Sequence, residues 1–296
     1  HFLDFLDAAD FSRRLVCKSP INREMTLSMQ LVPFGEGKKL LVARDITELE
    51  RVDAMRRDFI ANVSHELRTP LTVVGGFVET LADAPDLPAS ESHRYFVLML
   101  DHTRRMQHLL DDLLTLSRLE SPDHTVKDDA VNVPELAQAL KSEAESLSRG
   151  RHRISLQLES SAWLKGNLQE IRSALGNLVS NAVRYTPEDG EITLAWRERD
   201  GEGVFSVTDT GEGISAEHIP RLTERFYRVD RSRSRETGGT GLGLAIVKHV
   251  LTRHGARLDV QSIPGKGSTF SAVFPAQRLQ RSSVPATGKV IPFPER

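Results

Sequence analysis

One histidine stands among residue types that can do chemistry, in the segment Ser64 to Leu71, which reads SHELRTPL. Each residue of a helix advances about 100° around the axis. Val63 belongs to the apolar stripe of this helix, and His65 lies about 160° away from it. Its imidazole is therefore predicted to face solvent, with Thr69 on the same face. An exposed histidine is most often plain surface. A neutral imidazole beside a carboxylate such as Glu66 can, however, act as a nucleophile.

A second group of polar residues shares one face of a predicted helix. The buried face is marked by apolar residues at helical spacing: Leu168, Ile171, Leu175, Leu178 and Ala182. The opposite face carries Glu170, Asn177, Asn181 and Arg184. Asparagine costs helix propensity, and taken alone this face indicates ordinary surface more readily than a ligand site.

Glycine-rich segments follow two predicted strands and precede one predicted helix. Asp209 ends a strand and is followed by Gly211 and Gly213, which alone indicates a turn. The segment Gly238 to Leu244 opens an apolar helix, whose amides and N-terminus can receive phosphate oxygens. The segment Gly265 to Phe270 resembles a P-loop, but the spacing that a P-loop requires is absent.

The segment Ser64 to Leu71 resembles the phosphoacceptor box of sensor histidine kinases. That resemblance implies that neutral His65 attacks the γ-phosphate of ATP. It also implies that Glu66 orients or deprotonates the imidazole, and that Thr69 positions water in the reverse reaction.

The later segments resemble, in order, the nucleotide-binding boxes of the same kinases. The resemblance implies that Asn177 binds Mg²⁺, with Glu170 as a further metal ligand, and that Asp209 accepts a hydrogen bond from the adenine amine. It places Thr269 at the adenine end, and Arg231, Arg233 and Arg235 in a mobile lid. The nucleotide-binding residues expected from these boxes are Asn177, Asn181, Arg184, Tyr185, Asp209, Gly211, Gly213, Phe226, Tyr227, Arg228, Gly239, Thr240, Gly241, Leu242, Gly243, Leu244 and Thr269.

The resemblance spans about residues 55 to 275. The segment before the histidine, Arg57 to Val63, is most similar to the corresponding segment of phosphate-regulon-type sensor kinases. It implies ATP and Mg²⁺ as cofactors and a response regulator, whose aspartate takes the phosphate from His65, as partner. It also implies that the chain is the cytoplasmic portion of a bacterial inner-membrane protein. Four questions stay open at this point. They are the input signal, the identity of the regulator, the balance of kinase and phosphatase activity, and whether phosphate goes to the same chain or to its dimer partner.

Hydrophobic periodicity supplies the elements that must position these residues. Alternation over residues 25 to 32 predicts a strand, and residues 39 to 43 predict its hairpin partner. Helical spacing follows from Ile46 to Ala82, with a kink expected at Pro70, and Pro85 and Pro88 break it. A second helix carries Met99, Met106 and Leu113 at seven-residue spacing. A lone hairpin of this kind buries only part of each stripe, so we expect a homodimer with a four-helix bundle.

The fold class expected is α+β with several domains. Residues 1–45 resemble the C-terminal part of a PAS-like sensory domain, 46–58 form a signalling helix, and 59–120 form the dimerisation and phosphotransfer hairpin. Residues 121–132 are expected to be a linker, 133–276 an α/β-sandwich ATP-binding domain, and 277–296 a disordered tail.

Bulk composition excludes several classes of protein. A formal net charge of -2 over 296 residues gives no global support for nucleic-acid binding. The single cysteine, Cys17, excludes an internal disulfide and any multi-cysteine metal site. No apolar run is long enough to span a bilayer, so the membrane attachment of the parent protein is expected in segments outside this chain. The first residue is His1, which favours a fragment of a longer protein.

Three functions compete on these residues. The favoured hypothesis is an ATP-dependent autokinase that phosphorylates His65. The second is an ATP-driven conformational switch, like the chaperone and mismatch-repair ATPases that share this nucleotide fold, which would release phosphate without forming phosphohistidine. The third is a resting phosphatase in which Glu66 and Thr69 hold water against a phospho-aspartate.

Overall fold

The structure is a computed structural model that describes residues 5, 13–35, 38–84, 87–120, 128–229 and 239–280. Several predicted features lie outside these residues. They are the three lid arginines, Gly238, the proline break at Pro85, residues 121–127 of the linker and residues 281–296 of the tail. The chain divides into two compact units, His1–Thr69 and Pro70–Arg296.

The first unit contains an antiparallel sheet in the order β1-β2-β3. Its strands are β1 (Arg14–Lys18), β2 (Thr26–Phe34) and β3 (Lys38–Asp45). The predicted hairpin is confirmed, and the alternation in β2 buries Met29 and Leu31 against Phe5. Strand β1 was not predicted, because its residues are only half-buried and leave little periodic signal. So small a sheet does not identify a PAS domain, and that assignment stays a prediction.

Two long helices follow the sheet, α1 (Thr47–Asp83) and α2 (Ala89–Glu120). Asp45 begins α1 by accepting hydrogen bonds from the backbone N–H and hydroxyl of Thr47, and these bonds lower the pKa of its carboxyl. Helix α1 is continuous through Pro70, which is buried. In the second unit, the rings of Phe77 and Tyr95 stack at 5.1 Å, so the hairpin helices are in contact there.

The C-terminal domain is built on a five-stranded sheet in the order β5-β7-β8-β10-β9. The strands of the domain in chain order are β4 (Asp129–Val131), β5 (Arg153–Leu158), β6 (Trp163–Gly166), β7 (Glu191–Arg199), β8 (Glu202–Asp209), β9 (Arg257–Ile263), β10 (Gly267–Phe274) and β11 (Leu279–Gln280). β5 pairs with β7 in parallel, and the other pairs of this sheet are antiparallel. A second, three-stranded sheet has the order β11-β6-β4.

Three helices pack on the large sheet: α3 (Val133–Ser148), α4 (Leu168–Tyr185) and α5 (Gly243–Arg253). Asn132 and Asn167 cap α3 and α4 by accepting backbone N–H groups of their first turns. The core between helices and sheet includes Trp196, Phe205 and Phe274, which are fully buried. The predicted α/β arrangement of this domain is therefore confirmed.

Two predicted boundaries of this domain are wrong. β4 belongs to the domain although residues 129–131 fall in the predicted linker, because its three residues pair with β6. Residues 277–280 fall in the predicted tail, but Leu279 and Gln280 also pair with β6. Neither segment has enough periodicity to be recognised alone, since both are short edge strands. Among the described residues no helix is long and apolar enough to cross a membrane.

Candidate functional site

His65 lies in the first unit on α1, and its side chain is exposed as predicted. The hydroxyl of Thr69 donates a hydrogen bond to the carbonyl of His65 at 3.2 Å, so Thr69 lies one turn further along the same face. Glu66, the next residue, is half-buried. The three predicted catalytic residues are thus neighbours on one exposed stretch of helix.

The remaining site residues lie in the C-terminal domain, where Asn177 of α4 meets the first turn of α5. The amide nitrogen of Asn177 donates to the carbonyl of Ser173 at 2.9 Å, which fixes the side chain. Its Oδ1 points at Gly243, where an added Cβ would stand only 2.5 Å away. An amide oxygen is therefore held beside the N-terminus of α5, where the backbone carries partial positive charge.

Arg184 and Tyr185 at the end of α4 approach the same glycine segment. A Cβ at Gly239 would lie 3.3 Å from a guanidinium nitrogen of Arg184 and 3.5 Å from the hydroxyl of Tyr185. Arg228 donates a hydrogen bond to the carbonyl of Gly239. Burial lowers the pKa of Arg184 from its ordinary value, although a guanidinium remains charged at neutral pH. Two arginines and a helix N-terminus thus form an anion-binding corner.

Asp209 occupies the other end of the site, at the end of β8. Its carboxylate is only 6% exposed and accepts a hydrogen bond from the N–H of Gly211 at 2.8 Å. Burial raises the pKa of this carboxyl, opposed by the hydrogen bonds from the Gly211 and Ser268 backbones. A buried carboxylate with free acceptor capacity is suited to a hydrogen bond from an amino group.

Glycines let the backbone close around Asp209. A Cβ at Gly211 would lie 2.6 Å from the carbonyl oxygen of Tyr185, and a Cβ at Gly267 would lie 2.0 Å from the carbonyl oxygen of Asp209. Gly213 has φ +68° and would place a Cβ 2.1 Å from the carbonyl oxygen of Ile263. No other residue fits these positions without moving the strand ends.

Phe226, Tyr227 and Arg228 form a short connection beside α5. The N–H of Phe226 donates to the carbonyl of Gly241 at 2.9 Å, and Phe226 has φ +61°, a strained value for an aromatic residue. The hydroxyl of Tyr227 lies 2.7 Å from Nδ1 of His218, and the guanidinium of Arg221 lies 4.3 Å from its ring centre. This connection is anchored at both ends, next to residues 230–238, which are not described.

The predicted role of Glu170 as a metal ligand stays a prediction, and the structure shows a different contact for its side chain. Its carboxylate accepts hydrogen bonds from Arg253 at 3.2 and 3.3 Å, so it neutralises a cation of α5. It also stands two helical turns before Asn177, roughly 10 Å along the axis. The carboxylate is therefore part of the α4–α5 packing.

The predicted role of Thr269 at the adenine end also stays a prediction, and its side chain lies on the face of the sheet opposite that of Asp209. Thr269 pairs with Thr208 in the register between β10 and β8, and the two hydroxyls lie 3.0 Å apart on the outer face of the sheet. Ser268 pairs with Asp209 and is 7% exposed, so it lies on the inner face beside the buried carboxylate. Sequence reasoning missed Ser268, although the alternation of β10, with Phe270 and Phe274 inward, indicates which face it occupies.

Several of the predicted nucleotide-binding residues lie at α4 or against its side chains and backbone. Asp209 and Gly211 lie at the Tyr185 end, and Gly243 lies at the Asn177 end. Tyr185 lies eight residues after Asn177, a rise of about 12 Å along the helix. Gly239 also lies beside the side chains of Arg184 and Tyr185. This arrangement can bind a ligand whose amino group meets Asp209 and whose phosphates meet the segment from Gly239 to Gly243.

Two family models match this chain, one on each side of the linker. Residues 55–122 match the His Kinase A (phospho-acceptor) domain. Residues 166–278 match the histidine kinase-, DNA gyrase B- and HSP90-like ATPase domain. The first match contains His65 and the second contains the site along α4.

Two relatives of this chain are phosphate regulon sensor proteins PhoR. The protein from Pseudomonas aeruginosa is 49% identical over 278 residues, which cover 93% of this chain and 63% of the relative. The protein from Haemophilus influenzae is 38% identical over 250 residues, which cover 84% of this chain and 58% of the relative. The chain thus spans about three fifths of the length of these relatives.

A solved structure is similar over most of the chain. The histidine kinase ThkA, in its complex with the response regulator protein TrrA, has a TM-score of 0.61 and 18% sequence identity to this chain. The match covers 93% of this chain and 83% of ThkA. At that identity the likeness concerns the fold.

Proposed function

This chain belongs to the sensor histidine kinases of two-component systems, of the phosphate-regulon type, and we propose that it phosphorylates its own His65 with ATP. The observation that carries the proposal is an exposed histidine in a phosphoacceptor domain, on the same chain as an ATPase domain. An imidazole nitrogen attacks the γ-phosphorus, and the bond from that phosphorus to the bridging oxygen breaks. ADP leaves with the electron pair, and Glu66 takes the imidazole proton.

The residues along α4 bind ATP in this proposal. Asp209 accepts a hydrogen bond from the adenine amine, beside the inner-face residue Ser268. Arg184 and the Gly239–Gly243 segment bind the phosphates, because they combine a buried cation with the N-terminus of α5. Oδ1 of Asn177 fits a Mg²⁺ ion, since it is an oxygen donor held at the phosphate end. The ion would neutralise charge on the phosphates.

The partners follow from the same premise. We infer that the phosphate passes from His65 to an aspartate of a response regulator, as the complex of ThkA with its regulator suggests. We infer a homodimer because large apolar residues of both hairpin helices, including Ile60, Leu71, Phe96 and Leu114, are exposed in the single chain. Attachment of the longer protein to the inner membrane stays a proposal that rests on the family.

The position of Thr69 supports a phosphatase reaction, in which the phospho-aspartate of the response regulator is hydrolysed. Thr69 exposes its hydroxyl one turn from His65, where a hydroxyl can hold a water molecule against a phospho-aspartate. We infer phosphatase activity toward the regulator as a second activity of this surface.

The proposal is tested by mass spectrometry of the protein after incubation with Mg-ATP, under conditions that preserve acid-labile phosphate. We expect phosphate on His65, its loss in His65→Ala, and its retention in His93→Ala, which removes another exposed histidine of the hairpin. Labelling that survives in His65→Ala would contradict the assignment. ATP hydrolysis with unmodified His65 would instead favour the conformational-switch ATPases.

A further inference from the structure

Helix α2 packs one face against the C-terminal domain. Leu109, Leu116 and Leu119 are buried on that face, and α2 contacts α5. Asp112 belongs to the same face, because it lies three residues after Leu109 and four before Leu116. A carboxylate thus lies within an otherwise apolar stripe.

Asp112 lies at the anion-binding corner described above. Its Oδ2 accepts a hydrogen bond from the hydroxyl of Thr240 at 2.7 Å. The charge of Arg184 acts on it directly, and Arg228 and Arg105 also act on Arg184. Burial raises the pKa of the Asp112 carboxyl, which the Thr240 hydrogen bond and the charges of His108 and Arg184 oppose. Burying this carboxylate therefore depends on the groups of the corner.

The same groups bind the nucleotide phosphates in the proposed function, on which this step rests. Thr240 lies within the glycine segment at the start of α5, and its hydroxyl also accepts the N–H of Leu242 at 3.2 Å. A phosphate and the Asp112 carboxylate are both anions with oxygen acceptors. They cannot share one hydroxyl donor and one buried guanidinium without strong repulsion.

We propose that Asp112 is an internal substitute for a nucleotide phosphate, which keeps α2 docked on the C-terminal domain until ATP displaces it. The two anions compete for Thr240 and Arg184. ATP binding and docking of α2 are then linked, so each weakens the other by the same factor. The contact between Asp112 and Thr240 restrains the C-terminal domain before ATP binds. Loss of this contact frees the domain once ATP is bound.

A second group of polar contacts also holds α2 on the C-terminal domain, in addition to the contacts of Asp112 at the anion-binding corner. Glu120, two turns after Asp112, pairs with Arg225 and lies 3.4 Å from Nε2 of His249. Arg253 donates to the carbonyl of Leu119 at 3.3 Å. Glu120 and Leu119 lie about two turns of α2 beyond Asp112. Phosphate binding therefore breaks one of these two groups of contacts and weakens docking without abolishing every contact.

The test compares Asp112→Asn with Asp111→Asn, a matched control that removes the same charge from an exposed neighbour. Dissociation constants are measured for ATP and for adenosine, which has no phosphate. We expect the ATP constant of Asp112→Asn to fall by about five- to twentyfold, a range typical of coupling between two binding events. The adenosine constant, and both constants of Asp111→Asn, should stay at the wild-type value.

Hydrogen exchange over residues 109–120 separates displacement from simple repulsion. Wild-type α2 should exchange faster when ATP is added, and Asp112→Asn should exchange faster without ATP. Equal ATP constants in all three proteins would overturn the inference, as would tighter ATP binding with unchanged exchange. Failure of wild-type protein to bind ATP would instead contradict the proposed function.

Discussion

Asp209 illustrates at the scale of one residue how burial prepares a carboxylate for recognition. Burial raises its pKa, because the fold removes water that would stabilise the charge. The hydrogen bond from Gly211 and the backbone of Ser268 hold the group in place without using all of its acceptor positions. The ionised carboxylate of Asp209 therefore destabilises the folded protein, but it can accept a hydrogen bond from an amino group of a ligand.

Because of the Asp209 carboxylate, the free energy of unfolding and the affinity for adenosine should change in opposite directions with pH. Since its folded-state pKa is raised, its contribution to the free energy of unfolding is present below the unfolded-state pKa and is lost as pH rises through the folded value. Adenosine binding needs the ionised acceptor, so it should weaken as pH falls through the same folded-state value. Calorimetry of adenosine binding and thermal unfolding across acidic pH measure both trends.

Asp209→Asn should abolish both trends. At pH 7 it should retain the fold, with a melting temperature no lower than wild type, because the cost of burying a charge is removed. It should also lose adenosine binding. Thr269→Ala is the matched control, since Thr269 lies on the outer face of the same strand pair and should leave adenosine binding unchanged. Loss of adenosine binding in Thr269→Ala would instead support the predicted role of Thr269 at the adenine end.

At the scale of elements, the site depends on the close approach of α4 and α5. Gly243 permits it, because any side chain there would meet Oδ1 of Asn177 at 2.5 Å. The atom displaced is the end of a side chain, so a substitution would move Asn177 and leave the two helices in place. The packing of α4 on α5 is further fixed by Arg253 and Glu170.

Gly243→Ala should therefore impair the phosphate end without unfolding the protein. We expect the dissociation constant for Mg-ATP to rise about tenfold, equivalent to about 1.4 kcal/mol, with adenosine binding unchanged. Gly176→Ala is the control within α4, because its Cβ would make an ordinary contact of 3.6 Å with Leu140. It should bind Mg-ATP normally and stabilise the protein by about 1 kcal/mol, since alanine is the better helix former. Equal ATP binding in the two variants would contradict the role given to Asn177.

The difference between local and long-range information explains what the sequence could predict. Asp209, Asn177 and the glycines were found because each lies in a short motif next to a periodic element. A motif does not say which face of an element meets the ligand, so the predictions for Glu170 and Thr269 could not include the contacts that these side chains make. The strand register places Ser268, and not Thr269, on the same face as Asp209. The contact between Thr240 and Asp112 joins residues 128 positions apart, and no local pattern signals it.

At the scale of the whole molecule, α2 presents different faces to different partners. Leu109, Leu116 and Leu119 face the C-terminal domain, and Tyr95 faces α1. Phe96, Leu100, Leu110 and Leu114 lie within about 80° of one another around the helix and form a stripe, and each is about half exposed. That stripe lies roughly opposite the domain-facing side, since Leu114 and Leu116 are about 160° apart. An apolar stripe of this length on a hairpin is unfavourable in water, and in the proposed homodimer a second copy covers it by forming a four-helix bundle.

Leu114→Glu should convert the dimer to a monomer. Each buried leucine contributes about 1.5–3 kcal/mol, and a twofold interface loses two of them while gaining two buried charges. Light scattering during size-exclusion chromatography should give twice the chain mass for wild type and the chain mass for the variant. Arg104→Gln changes the net charge by the same amount about 80° from the stripe and should remain dimeric. A wild-type monomer at micromolar concentration would contradict the bundle, and a dimeric Leu114→Glu would move the interface to another face of the hairpin.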